Sequence, residues 1–160
     1  MRTGGLFAVV LLASCGGGGT FTPATPPASI CALLTLEDLA PIFPDAVGSG
    51  EYPIFPDLDL WRGSCNWYAA GSGQTLNLAV YGATTAKGLQ QLWPPSLAGA
   101  ARTPVTGLGA AAQYWEQQGI TGLWAIEGGT SVNLSGYYFA PSPTEAQLHP
   151  LVAKVLGQLE

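Results

Sequence analysis

Ser64-Cys-Asn-Trp-Tyr-Ala-Ala-Gly-Ser-Gly-Gln-Thr-Leu-Asn-Leu-Ala-Val-Tyr81 carries a period of two on either side of a glycine turn. Cys65, Trp67 and Ala69 alternate with Asn66 and Tyr68. Beyond Gly71-Ser72-Gly73, Leu76, Leu78 and Val80 alternate with Asn77 and Tyr81. Successive strand side chains point to opposite faces, so the pattern predicts an antiparallel hairpin with one apolar and one polar face. On the C-terminal side, Thr84 is placed to cap a helix with Leu89, Leu92 and Trp93 at helical spacing and Pro94-Pro95 as its stop. A glycine- and alanine-rich link then leads to strands at residues 113–117, 123–127 and 131–138, with Gln118-Gly119 and Gly128-Gly129 as turns. Ser142-Pro143-Thr144-Glu145 reads as a capping box with proline at the first helical position. The stripe Leu148, Leu151, Val152, Val155 and Leu159 follows, and Pro150 should kink that helix or delay its start.

Upstream of the hairpin, Thr35 with Asp38 three residues on, and Leu34 with Leu39, predict a helix from Leu36 to Phe43, stopped before Pro44. Residues 44–62 read as loop, with Pro53, Pro56 and the acids Asp45, Glu51, Asp57 and Asp59. Those acids could hold calcium, but the EF-hand spacing is absent and solvated loop acids are the plainer reading. The sum is an α+β fold: a twisted antiparallel sheet of about five strands with helices on one face, in the order α-β-β-α-β-β-β-α.

The N-terminus carries Arg2, an apolar run from Leu6 to Ala13, and then Leu12-Ala13-Ser14-Cys15. The run is too short for a membrane span, which needs about 20 apolar residues, but fits a signal-peptide core of about 7–15. Gly16 to Gly19 and the Pro/Thr-rich run to Pro27 have no periodicity and read as a tether. Leu12 to Cys15 resembles the lipobox of bacterial lipoproteins. That resemblance implies cleavage before Cys15, lipid on its thiol, and a membrane-anchored protein facing outside the cytoplasm. The alternatives are an ordinary secretory signal, or a buried N-terminal strand, which the glycine and Pro/Thr-rich run directly after it disfavours. The organisation is thus signal 1–14, tether 15–29 and one globular domain 30–160.

Charged residues make up only 9% of the chain and its net charge is −5, against about 25% charged residues in an average soluble domain. An acidic chain so poor in Lys and Arg has no footprint for a phosphate backbone, which excludes nucleic acid as a partner. It also gains no general attraction to anionic lipid heads, so the lipid must do the anchoring. The three cysteines become an even pair, Cys31 and Cys65, once Cys15 is set aside. An oxidising compartment favours a disulfide between them; two buried thiols, or a metal pair, are the alternatives, the latter short of ligands with His149 as the sole histidine.

The string Cys31 to Leu39, then Cys65-Asn66-Trp67, then Val105 to Gly109 leading to Ala112 and Trp115, resembles a family of actinobacterial-type cell-envelope lipoproteins of unknown function. The resemblance covers about residues 30–135. It implies an α+β fold, an extracytoplasmic lipoprotein and a Cys31–Cys65 disulfide, and it brings no catalytic residues.

The sequence predicts no cofactor. Every Ser/His/Asp scheme would run through His149, and the Gly-x-Ser-x-Gly elbow is missing. A carboxylate pair would have to come from residues such as Glu116 and Glu127. The polar hairpin face offers Asn66, Tyr68, Asn77 and Tyr81 as ligand-binding residues, to which Asn133 and Ser135 could be added. Amide and aromatic surfaces of that kind suit small ligands such as sugars, or peptides. The plainer reading covers this face with the 44–62 loop, and places the tryptophans in the core. The functional expectation is a non-catalytic envelope lipoprotein that binds a partner protein or small ligand; the alternative is an envelope-associated hydrolase.

Overall fold

The hairpin read from the sequence forms as β2 (Leu60–Ala69) and β3 (Thr75–Ala83), with Cys65 opposite Leu78 and Asn66 opposite Asn77. Gly71 and Gly73 take the positive φ values, 82° and 72°, that the turn requires. This computed structural model describes residues 21–92 and 99–160, so Cys15, Trp93 and Pro94-Pro95 lie outside the described residues.

The architecture around the hairpin corrects the predicted five-stranded α+β fold. The described residues are mostly β, a seven-stranded antiparallel sheet carrying one C-terminal helix and a single-turn helix. The additional strands are β1 (Ala46–Pro56) and β4 (Ala101–Val105); β5 (Ala111–Gln117), β6 (Ile120–Glu127) and β7 (Thr130–Tyr137) complete the set. Their order is β1-β2-β3-β7-β6-β5-β4, so two meanders meet where β3 pairs with β7. The stretch read as a 44–62 loop is therefore an edge strand and the start of β2. Its register shifts between Tyr52 and Phe55, which breaks the two-residue period, and an edge strand tolerates Pro53 and Pro56 because one side of it is unpaired. β4 was hidden for a similar reason: of its five residues only Val105 is buried.

Among the described residues the helices are fewer and shorter than expected. α1 covers only Leu36–Leu39, because Pro41 has no N–H to offer the Glu37 carbonyl. Its start is as predicted: the Thr35 N–H donates to the Asp38 carboxylate at 2.8 Å, and the Asp38 N–H to Thr35 Oγ1 at 3.3 Å. The second expected helix is a 3-10 turn, Gly88–Gln91, and a Cβ at Gly88 would stand 2.0 Å from the Asp59 carbonyl. α2 runs Glu145–Leu159 with Pro150 inside it, and its cap is Thr144 with Gln147, two residues beyond the expected Ser142. Pro143 instead ties the lead-in to the sheet. Its carbonyl accepts from Tyr114 Oη and from Thr121 Oγ1, each at 3.0 Å, and burial pushes the Tyr114 phenol above its ordinary pKa.

α2 lays Leu148, Leu151, Val152, Val155 and Leu156 over β6 and β7, and these join Trp67, Leu76, Leu78, Val132 and Leu134 in one core. Cys31, in a 3-10 turn ahead of α1, is disulfide-bonded to Cys65 in β2, with 5.0 Å between their Cα atoms. The N-terminal arm is held as well: the Ala24 N–H donates to the Ala83 carbonyl, and Trp61 Nε1 donates to the Ala24 carbonyl, both at 2.9 Å.

Candidate functional site

Alternation along β2 and β3 turns one set of side chains toward α2 and the other away from it. Asn66, Tyr68, Asn77 and Tyr81 share the outer face, as the registers Asn66–Asn77, Tyr68–Thr75 and Arg62–Tyr81 require. The structure does not gather the four into one site. Asn77 Nδ2 donates to Asn66 Oδ1 at 2.7 Å, so the amides satisfy each other in part. Tyr68 lies six residues along β2 from Arg62, the partner of Tyr81, which puts the two tyrosines about 20 Å apart. Tyr68 reaches over Gly48 in β1, where a Cβ would come within 2.7 Å of its hydroxyl.

Tyr81 and Asn77 instead join residues of the edge strand. Together with Tyr52, Pro53, Phe55, Arg62, Ser64 and Ala79 they line a groove of about 350 Å³ on the outer face. Its rungs follow the register: Phe55 opposite Arg62 opposite Tyr81, then Tyr52 opposite Ser64 opposite Ala79. The three rings are well exposed, at 60% for Tyr52, 55% for Phe55 and 37% for Tyr81. Sequence reasoning missed Tyr52, Phe55 and Arg62 because the strand that carries two of them was read as loop. The aromatic-Pro-x-aromatic string Tyr52 to Phe55 was the available signal.

The other half of the outer face is different. Trp115 and Trp124 lie on it, opposite Gly122 and Asn133, yet both are buried. Asn133 Oδ1 accepts from Trp115 Nε1 at 3.1 Å, and Ser135 is fully buried and donates to Tyr137 Oη at 3.4 Å. Neither Asn133 nor Ser135 extends the groove. Trp61 and Trp67 are buried on the helix-facing side.

The acids of residues 45–59 are dispersed along β1 and its turn rather than clustered. Glu51 accepts from Ser29 Oγ and the Ile30 N–H, while Asp59 is bound by Lys87, Thr85 and Gln91. Among the described residues no group of three His, Cys, Asp or Glu side chains could hold a metal ion. Glu116 stands opposite Thr121, and Glu127 opposite Thr130, at the two ends of the β5–β6 hairpin. Six residues of strand place them about 20 Å apart, beyond the roughly 5–9.5 Å over which two carboxylates share a glycosidic bond. His149 is on α2, and none of the three lines the outer-face groove. No helix among the described residues is long and apolar enough to cross a membrane. No protein-family model, curated protein or solved structure matches this chain.

Proposed function

We propose that this chain is a lipid-anchored envelope lipoprotein, held through Cys15 outside the cytoplasm, that binds a small ligand or partner through the outer-face groove without catalysing a reaction. The observation that carries the binding reading is the groove itself: three exposed rings, an arginine and the amide of Asn77 around about 350 Å³. Stacking surfaces beside a few hydrogen-bonding groups are the usual makeup of a small-ligand site. The anchoring reading rests on Leu12 to Cys15, and the Cys31–Cys65 disulfide favours an oxidising compartment. The hydrolase alternative lacks support in the groove, whose lining contains Ser64 but no histidine and no carboxylate.

Two measurements test this. The intact mass of protein purified from membranes should show acyl groups on a chain beginning at Cys15; a water-soluble product without acyl mass overturns the anchor. Affinity recovery from the native envelope should lose its ligand in Tyr81→Ala and keep it in Tyr68→Ala. Recovery unchanged in both removes the groove from the proposal.

A further inference from the structure

We infer that the groove takes an anionic amphiphile drawn from the bilayer, with Arg62 receiving the anionic group and Tyr52, Phe55 and Tyr81 the apolar portion. This rests on the groove being a binding site, as proposed above, and adds what kind of molecule it selects.

Charge is the first argument. In a chain of net charge −5 the groove carries one charged side chain, Arg62, and no acid. Lys87 and Lys154 are held by Asp59 and Asp38 at 2.8 Å and 2.6 Å. The Arg62 guanidinium, by contrast, makes no hydrogen bond or ion pair with any described residue. Five N–H donors in a planar fork match a carboxylate or a phosphate.

Register is the second. Arg62 is directly opposite Phe55 on one side and Tyr81 on the other, so a strand bearing a ring runs about 4.8 Å away on each side of it. Tyr52 begins the next rung. An anion bound to the fork would have apolar surface on both flanks, which favours a ligand carrying its own apolar part over a bare ion.

Placement is the third. The next rung toward the end of the sheet is Pro56–Trp61–Gly82, and Trp61 holds the Ala24 carbonyl. Ala24 is nine residue steps beyond Cys15, a reach of at most about 30 Å. A lipid at Cys15 therefore keeps Ala24 within that distance of the bilayer, and the Phe55–Arg62–Tyr81 rung one indole and one strand step beyond it, near a surface where amphiphiles are abundant.

The test is calorimetric titration of the full lipidated protein in zwitterionic nanodiscs with octyl phosphate, octyl glucoside and inorganic phosphate, each below its micellar range. Octyl phosphate should bind saturably at one site. Arg62→Gln should weaken it by about tenfold or more, the share expected of a charge-assisted hydrogen bond. Tyr81→Ala should weaken it as well, and Tyr68→Ala, off the groove, should not. Unfolding curves matching wild type would confirm that each variant is folded. Equal binding of octyl glucoside, or an unaffected Arg62→Gln, overturns anion selection and leaves the groove as a binding site. Inorganic phosphate binding as tightly as octyl phosphate overturns the amphiphile. A Tyr81→Ala variant that binds normally removes the groove and takes the ligand-binding reading with it. Absence of saturable octyl phosphate binding, or a dimer that occupies the groove and dissolves in Tyr52→Ala, also overturns the inference.

Discussion

Three aromatic rings in this sheet lie across the glycine directly opposite them: Trp61 over Gly82, Trp115 over Gly122 and Tyr68 over Gly48. An added Cβ would stand 2.2 Å from Trp61 at Gly82 and 2.4 Å from Trp115 at Gly122. Both indoles are buried and cannot swing aside. Gly82→Ala and Gly122→Ala should each lower stability by about 1–3 kcal/mol, the cost of overpacking a filled site, read as a fall in urea midpoint at unchanged slope. Gly50→Ala is the control: nothing lies within 4 Å of its added Cβ, and its midpoint should move by less than about 0.5 kcal/mol. A glycine inside a strand announces a close approach, but which ring makes it depends on register. Composition could not supply that.

At the level of elements, what could be read was what obeyed a strict period or carried a turn or cap signal. The β2–β3 hairpin and the stripe of α2 kept the period; β5 to β7 were legible from the glycine turns between them, and the start of α1 from the Thr35–Asp38 box. β1 kept no period, because its bulge shifts register midway and most of it faces solvent. With β1 went half of the groove, since Tyr52 and Phe55 ride on it. α1 illustrates how little local signal is needed to fix a start. Lys154 on α2 donates to Asp38 Oδ1 at 2.6 Å, joining the two helices. That ammonium, and next the Thr35 N–H, hold the Asp38 carboxyl below its ordinary pKa. A carboxyl lowered on folding stabilises the native state above its unfolded value, about 3.9, and that contribution is lost as pH falls through the lower folded value. Asp38→Asn should therefore cost up to about 1 kcal/mol at pH 6, and the deficit should shrink as the pH is lowered through the acid range toward the lowered folded value. Denaturant melts followed from pH 6 downward would show this, and a deficit that does not change with pH would refute the ionic account.

For the molecule as a whole, the disulfide joins the segment before α1 to the middle of β2 and closes a loop of about 35 residues. Chain-entropy reasoning gives it about 3–4 kcal/mol. Reduced protein, or the Cys31→Ser/Cys65→Ser double variant, should unfold at correspondingly lower denaturant; coincident curves would show that packing alone fixes the arm. The sheet order has a different consequence. β7, the last strand synthesised, is the strand that joins the two meanders. Until residues 130–137 arrive, β3 is a bare edge, with Leu76, Leu78 and Val80 along its apolar face and without the β7 and α2 residues that complete the core around them. Such an edge invites pairing with other chains. A nascent or truncated polypeptide ending before Thr130 is thus a substrate for chaperones and proteases, not a smaller version of the native protein.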